Sequence, residues 1–156
     1  EQFKATIDFD GGGLEKAYNL FNDEYEDSED AAKAISAHIA SVENVADALF
    51  EEWSEELDLY TSPSLRRASE RQYTATQKKY RRLLASMQRV EDSMQPVLST
   101  MRDNVLFLKH NPNARAIDAL KGELGNINRD VSTLVKNMQR SIQESEAFIT
   151  TLKAER

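Results

Sequence analysis

Between Val105 and Leu120 the chain reads VLFLKHNPNARAIDAL. An apolar run stops at His110, Asn111, Pro112 and Asn113, and apolar residues then resume at helical spacing. The stretch is either a site, with His110 as its chemical group, or a corner where one helix turns into the next. Local chemistry favours the corner. Pro112 forbids continuation of a helix, and the residue before a proline leaves helical geometry. Asn113 can cap a following helix. His110 stands where a positive charge suits the dipole at a helix C-terminus. His110 and Asn111 therefore end one helix, and another follows them.

Both sides of the corner are periodic. Downstream, the stripe runs through Ile117, Leu120, Leu124, Ile127, Val131, Leu134, Met138, Ser141, Ser145, Phe148 and Leu152. Gly122 and Gly125 lie inside it, at about 1 kcal/mol each relative to alanine. Val135, Ile142 and Ile149 add a flanking row at sevens, and a widened apolar face serves two partner helices instead of one. Upstream, a second stripe begins weakly at Leu65, Ser69, Gln72 and Thr76. It strengthens through Tyr80, Leu83, Met87, Val90 and Met94, then continues through Leu98, Met101, Val105 and Leu108. Pro96 removes one hydrogen bond inside this stretch. Two arrangements stay open there, one kinked helix or two helices broken at Gln95.

Further upstream, alternating steps of four and three land on Leu14, Tyr18, Phe21, Tyr25, Ser28, Ala32, Ile35, Ile39, Val42, Ala46, Leu49 and Trp53. Leu57 and Tyr60 follow after a doubled four-step, a stutter. No glycine or proline interrupts Leu14 to Tyr60. The spacing predicts one helix of roughly 47 residues, about 70 Å long at 1.5 Å per residue. Thr61 to Ser64 breaks it, with Ser62 as a cap and Pro63 at a first helical position. Three helices, at about 14–60, 63–110 and 114–154, joined by short links, predict antiparallel neighbours. The expected fold is all-α, an elongated antiparallel three-helix bundle with coiled-coil-like packing over 14–156. Residues 1–13 read differently. Phe3 and Ile7 at a four-step, then Phe9 to Gly13, suggest the tail of an upstream helix and a glycine joint. The start at Glu1 is read as that of a trimmed piece.

Composition agrees with this class. The chain has 156 residues, enough for one cored domain, with 40% hydrophobic and 30% charged residues and only 5 Gly and 3 Pro. No apolar run approaches the roughly 18 residues of a membrane helix, so no direct membrane insertion is expected. The absence of cysteine removes disulfides, thiolate metal sites and thiol nucleophiles.

The candidate chemistry fails residue by residue. As a calcium loop, Asp8 and Asp10 begin correctly, but Gly12 and Asn19 fall where ligands are required. As a phosphate loop the stretch lacks a preceding strand and a Lys-Ser/Thr pair. Di-iron bundles use Glu-x-x-His pairs, and neither His38 nor His110 has a glutamate three residues before it. The acidic run Asp23 to Asp30 reads as a solvated face near a helix N-terminus. The RRAS tetrapeptide, Arg66 to Ser69, matches a basophilic kinase site by chance. No catalytic, cofactor-binding or metal residue is assigned, no cofactor is expected, and the chain is not read as an enzyme.

Charge is unevenly divided. Leu14 to Tyr60 holds fourteen acidic residues against Lys16 and Lys33, a net −12, whereas Leu65 to His110 carries +6 and Ala114 to Arg156 carries +1. Arg66, Arg67, Arg71, Lys78, Lys79, Arg81 and Arg82 crowd together. A hairpin turning at Pro63 places them beside Glu51, Glu52, Glu55, Glu56 and Asp58, which should leave no net positive field for phosphates.

Several motifs carry a family resemblance: DGG at Asp10 to Gly12, LFEEW at Leu49 to Trp53, SLRRASERQ at Ser64 to Gln72, and VLFLKHN followed by NARAI between Val105 and Ile117. From about Phe9 onward the chain resembles an uncharacterised family of Gram-negative bacterial proteins, a domain of unknown function. The resemblance implies an N-terminal export signal or lipid anchor, a further helical segment and a location in the cell envelope or periplasm. It implies no activity. The expected function is a non-catalytic structural or protein-interaction domain, a scaffold or spacer with protein partners and with homo-oligomerisation open. Nucleic acid is not an expected partner. The alternative is membrane-surface or nucleic-acid binding through the basic second helix.

Overall fold

The computed structural model describes residues 13–111 and 114–154, with Leu14 and Ala114 described by their backbone alone. It is all-α: α1 spans Leu14–Leu57, α2 Pro63–His110 and α3 Ala114–Ala154. The upstream tail and most of the glycine joint expected at residues 1–13 lie outside the described residues, as do Pro112 and Asn113 of the corner. Gly13 accepts the backbone N–H of Ala17 at 2.7 Å, the first bond of α1.

The helix ends follow from local chemistry. α1 stops at Leu57, three residues before the Tyr60 expected from the stripe. Its last turn holds Glu55 and Glu56 and no basic residue, and carboxylates oppose the dipole there. The chain leaves through tighter bonds, Asp58 N–H to Glu55 and Leu59 N–H to Glu56. Ser62 then caps α2: its carbonyl accepts Arg66 N–H at 3.0 Å and its Oγ accepts Leu65 N–H at 3.5 Å. At the far end Asn111 donates to the Phe107 carbonyl twice, from its backbone N–H at 2.9 Å and from Nδ2 at 3.1 Å. Pro96 sits inside α2 without ending it, so the second stripe is one helix.

The chain forms two compact units, and each helix contributes to both. Of the described residues, one unit comprises 13–35, 91–111 and 114–135. Its core joins Phe21 of α1, Val105 and Leu108 of α2, and Ala116 and Leu120 of α3, with Tyr18, Tyr25 and Leu124 packed against it. The other comprises 36–90 and 136–154. Aromatic rings fill it: Phe50 meets Tyr73 at 5.7 Å and Tyr80 at 5.5 Å, and Tyr80 meets Phe148 at 5.9 Å. The register here is antiparallel twice over. Trp53 pairs with Ser69 and Phe50 with Tyr73 between α1 and α2; Lys79 pairs with Thr151 and Arg89 with Asn137 between α2 and α3. α1 and α3 therefore run parallel.

The buried faces correct the stripes at definite places. In the second half of α1 the buried positions are Ile39, Ala46 and Phe50, with Glu43, Trp53 and Leu57 partly covered. Val42 and Leu49, expected in the seam, are exposed, as is Tyr60 beyond the helix. Phe50 turns inward because Tyr73 and Tyr80 offer ring edges to it, and the face rotates by one residue to follow. The doubled step therefore falls at Ile35, Ile39 and Glu43, not before Leu57. On α2, Tyr73 and Val97 take the places assigned to Gln72 and Leu98, and Leu65 is exposed. On α3, Val131 is exposed, and the flanking row of Val135, Ile142 and Ile149 faces solvent instead of a second helix.

Candidate functional site: an apolar-sided surface and a polar notch

The residues weighed in the sequence occupy plain positions. His38 and His110 are exposed on α1 and at the end of α2. Among the described residues no three His, Asp or Glu side chains converge as metal ligands. The acidic run is largely exposed, with Asn22 donating to Glu26 and Lys33 meeting Glu29 and Asp30, while its Tyr25 packs inward. Ser69 of the RRAS tetrapeptide is buried, and its Oγ accepts Trp53 Nε1–H at 2.9 Å. A kinase has no access to that hydroxyl in the folded chain.

Electrostatics across the α1–α2 hairpin are thinner than the sequence suggested. Arg66 reaches Asp58 at 2.9 Å and Glu70 at 3.0 Å. Among the described residues, Glu51, Glu52, Glu55 and Glu56 make no ion pair within 4 Å, and neither do Arg67, Arg71, Lys78, Arg81 or Arg82. Register here is set by the Trp53–Ser69 hydrogen bond and the ring contacts, not by rows of salt bridges. Exposed pairs would add only about 0–1 kcal/mol each. Inside the same unit the Tyr80 hydroxyl has its pKa raised above 10.0, first by burial and then by the carboxylates of Asp47 and Glu43.

At 100° per residue, Val42, Val45 and Leu49 lie on one flank of α1, outside its buried stripe. On α3, Thr151 and Asn137 mark the side towards α2, and Ile142 and Ile149 lie opposite. Both rows are exposed on this unit, one on α1 and one on α3. Their relative exposures are 40% for Val42, 70% for Val45, 36% for Leu49, 58% for Ile142 and 47% for Ile149. Scattered surface aliphatics need no explanation, but these residues recur along one flank of each helix.

The unit that holds the Phe21 core carries a different feature. A notch of about 380 Å³ is lined by Thr100, Asp103, Asn104 and Phe107 of α2 and by Ala119, Leu120 and Glu123 of α3. Asn104 is 5% exposed, and its Nδ2 has no hydrogen-bond partner. A buried donor left unmade costs about 1–3 kcal/mol. The sequence reading passed over Asn104 because it stands beside the apolar seam at Val105. The available signal was a polar residue in the step between Met101 and Val105.

The family model described as "Protein of unknown function (DUF2959)" matches residues 1–152. The chain belongs to this family. No curated protein and no solved structure matches it. For this DUF2959 chain the exposed apolar rows of α1 and α3 and the notch at Asn104 are the features that packing alone leaves unexplained. No helix among its described residues is long and apolar enough to cross a membrane.

Proposed function

We propose that this chain is a non-catalytic protein-binding domain, a scaffold of the Gram-negative cell envelope whose α1–α3 face takes an amphipathic helix from another protein. The observation that carries the reading is the pair of apolar rows, Val42, Val45 and Leu49 beside Ile142 and Ile149. A fourth helix laid along them would extend the same coiled-coil-like packing. The envelope location rests on the motif resemblance alone.

Charge selects the occupant. α1 carries thirteen acidic and two basic residues over Leu14–Leu57, a net −11, and Glu52 and Glu56 lie on the flank of its apolar row. An antiparallel two-fold pairing of this face with a second copy would bring acidic α1 against itself, whereas a parallel one would set α1 against α3. A helix with basic flanks meets no such penalty. About half of each aliphatic side chain is still exposed, and burying the rest gives about 1 kcal/mol each, or about 5 kcal/mol together, before association costs. Affinity of this origin is about 0.2 mM or weaker unless the partner makes further contacts.

The alternative, phosphate binding through α2, draws on the exposed Arg67, Arg71, Lys78, Arg81 and Arg82. It competes with the −11 of α1 in the same bundle, which lowers the field that phosphates would feel.

The test uses fluorescence anisotropy with two helical peptides, leucine at the core positions and either lysine or glutamate at the flanks, at about 0.15 M salt. The lysine peptide should bind saturably. Val45→Asp with Ile142→Asp should abolish binding while helicity and melting temperature hold. Equal binding of both peptides, or of neither, would overturn the reading. A dimer in sedimentation that Val45→Asp dissolves would make a second copy the occupant.

A further inference from the structure

We propose that a row of cations along α2 seats this protein on an anionic membrane surface, with the helix lying flat against the phospholipid headgroups. The row is Arg67, Arg71, Lys78 and Arg82, and Arg89 continues it. At 100° per residue all five fall within about 60° of one another, and at 1.5 Å per residue the first four span about 22 Å. All are exposed. They stand opposite Ser69, Thr76, Tyr80, Leu83 and Met87, the buried positions of the same stretch. Among the described residues Arg67, Arg71, Lys78 and Arg82 make no ion pair within 4 Å. Arg66 and Lys79 lie outside the row and have partners, Arg66 in Asp58 and Glu70, Lys79 in Thr151. Glu70 is the one carboxylate between Leu65 and Val90, and Arg66 holds it.

The carboxylates of α1 do not cancel this row. α1 packs on the other side of α2, where Trp53 meets Ser69 and Phe50 meets Tyr73 and Tyr80. Packed helix axes lie about 8–10 Å apart, and the row points outward from α2, so those acids stand beyond the Debye length of about 8 Å at about 0.15 M salt. On α3, Glu144 shares the helix side of Asn137 and Thr151 and is the acid to set against the row, whereas Glu146 lies opposite. Shape then selects a flat anion. No glycine or proline bends α2 between Arg67 and Arg89, and a straight row on a convex helix meets a plane along its whole length. A nucleic-acid duplex is itself convex and meets such a row only near the crossing. A single strand is held by bases stacked on aromatic rings beside the cations, and the rings of this stretch, Tyr73 and Tyr80, turn inward to Phe50. Four or more Lys/Arg on one helix are the charge pattern that anionic lipid attracts, each cation worth about fivefold in partitioning. The row shares no residue with the apolar rows of α1 and α3 assigned above to helix binding.

The test is co-sedimentation of the full chain with vesicles of phosphatidylcholine, alone or with about one-third phosphatidylserine, at about 0.1 and about 0.5 M salt. The phosphatidylserine vesicles should pellet the protein at the lower salt and release it at the higher, and phosphatidylcholine alone should not pellet it. Arg71→Gln with Arg82→Gln should lower partitioning about thirtyfold, with helicity and melting temperature unchanged. Lys16→Gln with Lys33→Gln, on α1, removes the same charge and should change partitioning by less than about threefold. Equal losses from the two pairs would show diffuse attraction and overturn the proposal. So would the absence of pelleting at about 0.1 M salt with phosphatidylserine vesicles at up to about 5 mM lipid. A single-stranded or duplex oligonucleotide that binds more tightly than the vesicles, and loses that binding in the Arg71 and Arg82 variant, would make nucleic acid the ligand and overturn the membrane assignment.

Discussion

Removing the side chain of Trp53 tests the register of the α1–α2 hairpin most sharply. Trp53 is partly buried, donates to Ser69 Oγ at 2.9 Å and meets the Tyr73 ring edge-on at 5.6 Å. Complete truncation of a fully buried tryptophan costs about 3–5 kcal/mol. Partial exposure puts Trp53→Ala at the lower end, about 3 kcal/mol, of which the ring contact accounts for about 0.5–1.5 kcal/mol. In a chain of this size that lowers the melting temperature by about 6–12 °C. Trp53→Phe keeps most of the packing and deletes the donor, and Ser69→Ala deletes the acceptor. A double-mutant cycle on these two should return a coupling of about 1 kcal/mol, the net worth of one hydrogen bond. Urea melts followed by circular dichroism at 222 nm measure it, since Trp53 is the sole tryptophan and fluorescence would lose its reporter. A coupling below about 0.3 kcal/mol, or a Trp53→Ala cost below about 0.5 kcal/mol, would show that the register is held elsewhere.

Other consequences are simpler to read. Tyr80 has a raised pKa, so the folded state holds its proton more tightly than the unfolded chain. Stability is complete below pH 10.0 and falls as pH rises past it, and Tyr80→Phe should flatten that alkaline limb in melts between pH 9 and 11. Asn104→Leu removes an unanswered buried amide and should raise stability by about 1 kcal/mol; a loss above about 1 kcal/mol would mean that the amide is paired. His110→Ala should change stability by less than about 0.5 kcal/mol, because its side chain is exposed at the end of α2. A basophilic kinase should phosphorylate Ser69 only once urea has opened the hairpin, because the hydroxyl is buried under Trp53.

The three helices and their turns were legible in the sequence because Pro63, Pro112 and unbroken apolar periodicity leave little choice. The finer facing of each helix was not. Leu49 and Phe50 are both apolar neighbours 100° apart on the wheel, and only the rings of Tyr73 and Tyr80 decide which turns inward. Leu98 and Val97 pose the same ambiguity on α2. The flanking row at Val135, Ile142 and Ile149 was read as serving a second helix and faces solvent instead, because its use depends on where α1 sits, a tertiary fact absent from spacing. The basic crowd on α2 was expected to meet the acids of α1. Long flexible side chains gain little from such pairs in water, and only Arg66 reaches across, to Asp58. Asn104 escaped notice because a single polar residue at a seam's edge reads as surface until its neighbours are placed.

The claim that matters most is that the apolar α1–α3 face binds a helix. Isothermal titration of the lysine-flanked peptide, locked helical in advance by side-chain bridges, tests it directly when repeated across temperature and salt. Burial of Val42, Val45, Leu49, Ile142 and Ile149 predicts a negative heat-capacity change, with affinity falling only modestly between about 0.05 and 0.2 M salt. A heat-capacity change near zero with affinity collapsing steeply over that salt range would mean that charge alone holds the peptide, and would contradict the account.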